Sequence, residues 1–237
     1  MESQRVEIIL KKLWEMYGSS IEGKFDQGTD LYNEIMLEEF FFTLLGGFGI
    51  SYELNKSALA LFKQKGYLDS SLYDEQEKII ITARNLRDEF NIKQFEPKSM
   101  NGEYRKYRFI ETKPIFIVKA GYWLWQECAW DLESYFSNHR DLFTREWLCS
   151  CPGIGMKSAS WFLRNIGIND DYAVFDVHVL RFLEKLGVKV PQVVTEKAYI
   201  QLEMILREIC KKIGVSLGKM DYLLWVLARN GYLAYVG

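Results

Sequence analysis

Apolar residues recur every three to four positions along most of this chain, which is the spacing of a buried face on an α-helix. The alternation of apolar and polar residues that marks a half-buried strand dominates no segment, although residues 109–118 could be locally extended. Outside residues 141–186, the pattern predicts helices over 6–17, 31–45, 51–65, 73–90, 112–136 with a break, and 195–213. The predicted fold class is therefore all-α.

Residues 141–186 predict three more helices joined by short turns. A short first helix over 141–149 is ended by Pro152 and Gly153. A second helix is predicted to begin near Gly155, and a third at Asp176, which is a candidate N-cap. The buried stripes of the second and third helices are Ala159, Phe162, Leu163 and Ile166, and Val179, Phe182, Leu183 and Leu186.

The first of these turns has the chemistry of an anion site. Gly153 and Gly155 allow close approach to the backbone, and amides at a helix start carry partial positive charge, so a phosphate could bind without a basic side chain. Lys157 lies in the first helical turn, where the helix dipole and partial burial would both favour a neutral, nucleophilic amine. Asp176 could stabilise positive charge on a sugar or transfer protons. The alternative is a tight turn, a solvated lysine and a simple cap.

Composition excludes several classes of protein. The chain has 237 residues, 49% of them hydrophobic, which is enough for one domain or two packed lobes. It contains no apolar run of membrane-spanning length, and its Glu-rich start lacks a secretion signal, so we expect a cytoplasmic protein without a membrane partner. We also expect a monomer. The four cysteines form no clear metal pattern, and we expect them to be reduced packing residues: Cys128, Cys149, Cys151 and Cys210.

Charge is unevenly distributed along the chain. The formal net charge is −2, yet residues 93–119 contain seven basic and three acidic side chains, a local charge of +4. Aromatic residues are interleaved with them: Tyr104, Tyr107 and Phe109. Such a segment is either a solvated loop or a surface that follows a nucleic-acid backbone, and the second reading predicts moderate, salt-sensitive DNA affinity.

The sequences LCSCPGIGMK, residues 148–157, and FDVHVLR, residues 175–181, resemble the helix-hairpin-helix DNA glycosylase superfamily, in particular its bifunctional glycosylase/lyases that act on 8-oxoguanine. The resemblance implies a helix-hairpin-helix motif over about 141–167. It implies two helical lobes, about 31–150 and about 1–30 plus 151–237, with a DNA-binding cleft between them. It further implies that Lys157 forms a Schiff base with the sugar C1′, that Asp176 is the catalytic carboxylate, and that His178 and Arg181 contact DNA phosphates.

The C-terminal residues 217–237, LGKMDYLLWVLARNGYLAYVG, resemble the type 2 8-oxoguanine glycosylases. This resemblance implies that Trp225 stacks on the extruded base, with Asp221 as a further base-binding residue. Trp161 lies one helical turn from Lys157 and is either a further base-binding residue or a core residue. The chain departs from the pattern at Ala234, where those proteins usually end on a lysine.

The same resemblance bears on cofactors. It implies a structural K⁺ or Na⁺ held by the carbonyls of Cys149, Cys151 and Ile154, and no metal bound by side chains. Endonuclease III relatives carry four clustered cysteines after the catalytic region, whereas here only Cys210 follows it, so no iron–sulfur cluster is expected.

The predicted function is base-excision repair. The protein would remove an oxidised purine, with 8-oxoguanine as the expected lesion, from double-stranded DNA and break the strand by β-elimination. Two alternatives remain open: a monofunctional glycosylase for another damaged base, and a non-catalytic DNA-binding module. Phe48 and Tyr52 are candidate wedges in the gap left by the extruded base.

Overall fold

The structure is a computed structural model that describes residues 2–21, 32–47 and 49–232. Eleven α-helices lie within these residues: α1 (Glu2–Tyr17), α2 (Asn33–Leu45), α3 (Tyr52–Lys65), α4 (Gln76–Asn91), α5 (Lys113–Cys128), α6 (Leu132–Asn138), α7 (Arg145–Cys149), α8 (Met156–Asn165), α9 (Val177–Lys185), α10 (Glu196–Ile213) and α11 (Leu217–Arg229). The only β-pairing among the described residues is one isolated antiparallel bridge, Phe95 with Arg105. The all-α prediction is confirmed.

Packing divides the chain into two compact units, one of residues 31–159 and one of residues 1–30 with 160–237. The boundary falls within α8. Among the described helices, none is long and apolar enough to cross a bilayer.

The core of unit 31–159 is built on α2, whose apolar run supplies Phe40, Phe41, Leu44 and Leu45, all buried. Helices α3, α5 and α6 pack on α2, and α4 packs on α5. The buried ring of Tyr73 can approach α5 closely only because residue 121 is glycine: a Cβ there would lie 2.3 Å from this ring. Burial of such large aromatic side chains is the main stabilising term in a core of this kind.

In the other unit, α11 packs against α9 and α10, and α1 packs against α10 and α11. The predicted stripes of α8 and α9 are confirmed, since each of the eight side chains is at most 3% exposed. The start of α11 approaches the loop after α8 closely: the Gly218 amide donates to the Asp170 carbonyl at 2.6 Å. A Cβ on Gly218 would lie 2.6 Å from that same oxygen, so only glycine fits there.

Several predicted boundaries are wrong. Helix α1 begins at Glu2 rather than at residue 6. Residues 113–118 are helical, as the helix predicted over 112–136 requires, and are not extended, because Pro114 near the start of α5 is already set to a helical φ. Helix α7 begins at Arg145 rather than 141, because the Thr144 hydroxyl accepts from the Trp147 amide and caps the helix there. Tyr73 precedes α4 and is held by its hydroxyl, which donates to the Tyr67 carbonyl at 2.7 Å.

The predicted break after α5 is confirmed. Ala129 and Trp130 have φ of 50° and 66°, left-handed values that end the helix before α6. The Trp130 indole donates to the Leu68 carbonyl at 3.1 Å, and this bond holds the turn between α5 and α6 against the loop after α3.

Candidate active site

The turn between α7 and α8, residues 150–155, is here called the hairpin. Two hydrogen bonds close it: Cys151 N–H to the Leu148 carbonyl at 3.0 Å, and Ile154 N–H to the Cys151 carbonyl at 3.1 Å. Ile154 is buried and anchors the turn. Glycine is required at Gly153, where φ is +90° and a Cβ would lie 3.0 Å from Phe116 Cβ.

Both glycines of the hairpin are exposed, and nothing lies within 4 Å of where a Cβ of Gly155 would stand. Gly155 directly precedes α8, and its carbonyl accepts the first helical hydrogen bond, from Ala159 at 2.9 Å. The residue before the helix thus has no side chain that could cap the first amides. An exposed helix start of this kind suits an anion such as a phosphate.

Lys157 is the second residue of α8 and is half-buried. A second lysine of the same unit, Lys113, lies at the start of α5 and donates to the carbonyls of Leu44 and Gly46, the latter at 2.6 Å. Burial, and after it the charge of Lys157, lowers the pKa of Lys113 to about 8. Sequence reasoning treated Lys113 only as one charge of a basic segment and missed this contact.

Asp176 is the N-cap of α9, as predicted. Its Oδ1 accepts from the amide of His178 at 2.8 Å and from that of Val179 at 2.9 Å. Both bonds use the same oxygen, so capping does not engage Oδ2. The side chains of His178 and Arg181 are exposed on this helix, while Val179 is buried.

Asp221 is buried on α11 and pairs with Arg164 of α8, with Nη1 and Oδ2 2.7 Å apart. The two side chains are 1% and 6% exposed. Burial raises the pKa of Asp221 to about 6, against the opposing effect of Arg164, and the charge of Asp176 adds to the rise. The predicted contact between Asp221 and a base stays a prediction; the contact present here joins α8 to α11.

Trp225 lies one turn after Asp221 and is half-buried. Its ring stacks on Tyr222 with centroids 5.6 Å apart and an interplanar angle of 24°, and the Arg229 guanidinium lies 5.2 Å from its centroid. The Arg164 guanidinium in turn lies 5.5 Å from the Tyr222 ring. Trp161 on α8 is also half-buried. The ion pair and the two α11 aromatic rings therefore form one continuous group.

The basic segment 93–119 is partly neutralised and partly buried. Lys93 pairs with Glu103 at 2.7 Å, and Lys106 donates to the Asn91 side chain at 2.7 Å. Tyr107 is 2% exposed, and its hydroxyl donates to the Leu45 carbonyl, so this aromatic side chain belongs to the core. Of the two predicted wedges, Tyr52 is exposed and Phe48 lies outside the described residues.

All four cysteines are free thiols. Burial raises the pKa of Cys128 and Cys210 to about 12, and it raises that of Cys151 as well. A buried neutral thiol is a packing residue rather than a nucleophile. Within residues 2–21, 32–47 and 49–232, no three His, Cys, Asp or Glu side chains are grouped as a metal site.

The predicted site residues are distributed over the two units. The hairpin glycines and Lys157 belong to unit 31–159, whereas the remaining predicted side chains belong to the other unit: Trp161, Asp176, His178, Arg181, Asp221 and Trp225.

A family model described as 8-oxoguanine DNA glycosylase matches residues 73–215, which is more than half of the chain and includes the hairpin, Lys157 and Asp176. The chain belongs to the 8-oxoguanine DNA glycosylase family. Its similarity to the 8-oxoguanine DNA glycosylase/AP lyase of Korarchaeum cryptofilum is 39% identity over 130 residues, covering 54% of this chain and 60% of that protein. The match to the protein of the same name from Thermotoga maritima is 42% over 90 residues, covering 37% of this chain and 43% of that one. These matches span less than two thirds of the relatives' length.

Solved structures of the glycosylase family show the same fold. The crystal structure of the Methanocaldococcus jannaschii 8-oxoguanine DNA glycosylase matches with a TM-score of 0.66 and 23% identity, covering 94% of each chain. That of the 8-oxoguanine DNA glycosylase of Thermotoga maritima matches with a TM-score of 0.63 and 25% identity, covering 95% of this chain and 96% of that one.

Proposed function

We propose that this protein is a bifunctional DNA glycosylase/AP lyase that removes 8-oxoguanine, an oxidised purine, from double-stranded DNA. The observation that carries the proposal is the position of Lys157 in the first turn of α8, directly after an exposed glycine hairpin, in a chain of the 8-oxoguanine DNA glycosylase family. A non-catalytic binding module would need the hairpin but would have no use for the lysine.

The hairpin binds the DNA backbone. Exposed glycines at 153 and 155 let a phosphate oxygen approach the main chain, and the start of α8 adds the positive end of its dipole. The exposed His178 and Arg181 contact further phosphates. Binding of this kind requires little net positive charge, which agrees with a chain whose formal charge is −2.

Lys157 is the nucleophile. After the damaged base is turned out of the stack, the neutral amine attacks C1′, the bond from C1′ to the base breaks, and the base leaves with the bonding electron pair. One of the two amine protons passes to the departing base and the other to O4′ as the sugar ring opens, which leaves an imine between Lys157 and C1′. Removal of a C2′ proton then expels the 3′ phosphate by β-elimination, and water releases the lysine.

Asp176 stabilises the positive charge that develops on the sugar. Its capping bonds to His178 and Val179 both use Oδ1, which leaves Oδ2 for this purpose and fixes the direction of the carboxylate. A carboxylate held by two backbone amides is preorganised, because it needs no rearrangement when the charge forms.

Base recognition is assigned to Trp225, with Trp161 and Asp221 in support. Stacking on an aromatic ring contributes about 1–3 kcal/mol per base. The usual terminal lysine of the type 2 pattern is replaced by Ala234, which lies outside the described residues. Recognition of the lesion therefore has to use other groups than that lysine.

Further expectations follow from this function. The protein acts as a monomer inside the cell, where chromosomal DNA lies, and it needs no redox cofactor. The carbonyls of Cys149, at the end of α7, and of Cys151 and Ile154, in the hairpin, are neutral oxygen donors, a set that suits K⁺ or Na⁺ better than a divalent cation. A bound cation there would stabilise the hairpin in its DNA-binding conformation.

A panel of duplexes that each carry one lesion tests the proposal. We expect base release, strand cleavage and a borohydride-trapped protein–DNA adduct with 8-oxoguanine, and none of the three with undamaged DNA. Base release without an adduct would indicate a monofunctional glycosylase. DNA binding that is independent of the lesion, together with no cleavage, would indicate a non-catalytic module.

A further inference from the structure

Lys113 occupies a position that disfavours its own charge. It is the first residue of α5, where the helix dipole is positive, and burial lowers its pKa to about 8. Its Nζ is held there by the carbonyls of Leu44 and Gly46 at the end of α2, where the helix dipole is negative. A half-buried lysine with two carbonyl partners joins the two helix ends.

The same turn of α5 packs against the hairpin. A Cβ on Gly153 would lie 3.0 Å from Phe116 Cβ and 3.2 Å from Leu44 Cδ1. Leu44 thus contacts the hairpin through its side chain and Lys113 through its carbonyl. The two helix ends and the hairpin form one packed group within a single unit.

Lys157 is the charged group whose field reaches Lys113 in this packed group. The groups at the end of α2 that accept from Lys113 Nζ are backbone carbonyls. The segment before α5 contributes Arg108, which donates to the Gly49 carbonyl, and Glu111, which is paired with Arg87. Repulsion between two ammonium groups is mutual, so Lys113 disfavours the charged form of the Lys157 amine as much as the reverse.

We propose that Lys113 is a positioning residue that acts through Lys157: its ammonium group favours the neutral amine that attacks C1′. This inference rests on the proposed function. A nucleophilic lysine next to another cation is a known way to obtain a neutral amine near pH 7. The effect is present while Lys113 is protonated, below about pH 8, and is lost as the pH rises further, since Lys113 is then neutral itself.

The test is the pH profile of strand cleavage at an abasic site, measured under single turnover from pH 6 to pH 9.5. An abasic duplex is used because base recognition then plays no part. We expect Lys113→Gln, which keeps a hydrogen-bond donor and removes the charge, to cleave about tenfold more slowly at pH 6.5, a change that corresponds to one pKa unit of Lys157. Its rate should approach that of the parent at pH 9.5.

Two further variants control this test. Lys113→Arg keeps the positive charge, so the midpoint of its pH profile should be equal to or lower than that of the parent. A midpoint higher than that of the parent would overturn the proposal, and this result does not depend on whether Lys113→Gln folds. Lys63→Gln removes an exposed lysine of the same unit, ion-paired with Glu38, and should leave the profile unchanged.

Each remaining result has one meaning. An unchanged profile in Lys113→Gln, or an equal loss of rate at every pH, would overturn the proposal, the second because it would show a purely structural role. Failure of the parent to cleave or trap abasic DNA at any pH would instead overturn the proposed lyase function, and the two failures are therefore distinguishable.

Discussion

The helix starts that carry the two candidate catalytic residues are built in opposite ways. Before α8, the preceding residue is Gly155, which has no side chain with which to cap the helix, and the turn is exposed. Before α9, the Asp176 side chain accepts from two backbone amides and closes the helix start itself. The backbone at the start of α8 is accessible to an external hydrogen-bond acceptor. The backbone amides at the start of α9 instead donate to the Asp176 carboxylate and hold it in place.

A difference in burial accompanies this difference in capping. The hairpin exposes its two glycines, while the region around α11 contains a nearly inaccessible ion pair between Arg164 and Asp221. Substitutions at Gly155 and Lys157 should therefore change DNA binding and chemistry at little cost to folding. Substitutions in the region around α11 should change stability first.

The largest expected effect is that of Lys157→Ala. We expect no borohydride-trapped adduct with an 8-oxoguanine duplex, because the imine is formed by the Lys157 amine. DNA affinity should remain, since the hairpin glycines are untouched. Trapping as efficient as that of the parent would show that another residue is the nucleophile.

Substitutions of Asp176 can separate its role as a helix cap from its proposed catalytic role. Asparagine caps a helix as well as aspartate does, so Asp176→Asn should fold and bind lesion DNA like the parent while releasing the base about 10²–10⁴-fold more slowly. Asp176→Ala should lose about 1 kcal/mol of stability in addition. Single-turnover base release and urea denaturation measure the two effects. Equal base-release rates in Asp176→Asn and the parent would exclude a catalytic carboxylate here.

Substitutions of the buried ion pair test whether the region around α11 contributes mainly to stability. Arg164→Met leaves the Asp221 carboxylate buried without its partner, and we expect a loss of about 3–5 kcal/mol in the free energy of unfolding. The double variant Arg164→Met/Asp221→Leu removes both charges and should recover most of that loss. Urea denaturation checks both, and a single variant as stable as the parent would show that the pair is unimportant for folding.

The raised pKa of Asp221 predicts that the folding stability of the protein depends on pH. Its folded pKa, about 6, lies above the ordinary value of 3.8, so the folded state binds the proton more tightly than the unfolded state. This group therefore lowers stability as the pH rises from about 4 to about 6. The stability of the parent relative to Asp221→Asn should fall over that range, and a constant difference would contradict the raised pKa.

The smallest expected effects distinguish the two hairpin glycines. A methyl at Gly155 meets open space, so Gly155→Ala should fold normally but lose about 1 kcal/mol of DNA affinity if a phosphate approaches the backbone there. Gly153→Ala places a side chain at φ +90° against Phe116 and should lose about 1–2 kcal/mol of folding stability. Unchanged DNA affinity in both variants would exclude the hairpin as a backbone contact.

Local features of this protein are predictable from its sequence. The buried stripes of α8 and α9 follow from a period of 3.6 residues, and the Asp176 cap from a short polar side chain before an apolar repeat. The resemblance carried by residues 148–181 identified the family that the comparison with residues 73–215 shows. Helix starts were less predictable, as at Arg145, because the cap at Thr144 outweighs an apolar pattern that begins three residues earlier.

The sequence alone therefore determined most helices apart from their exact starts, the hairpin and the candidate nucleophile, because each depends on residues within a few turns of one another. Only the tertiary structure decided which distant groups meet. Asp221 pairs with a residue 57 positions away, and Lys113 donates to Leu44 and Gly46, 69 and 67 positions away. No local pattern encodes such pairs, since burial and Coulomb interactions depend on distance in space and not along the chain.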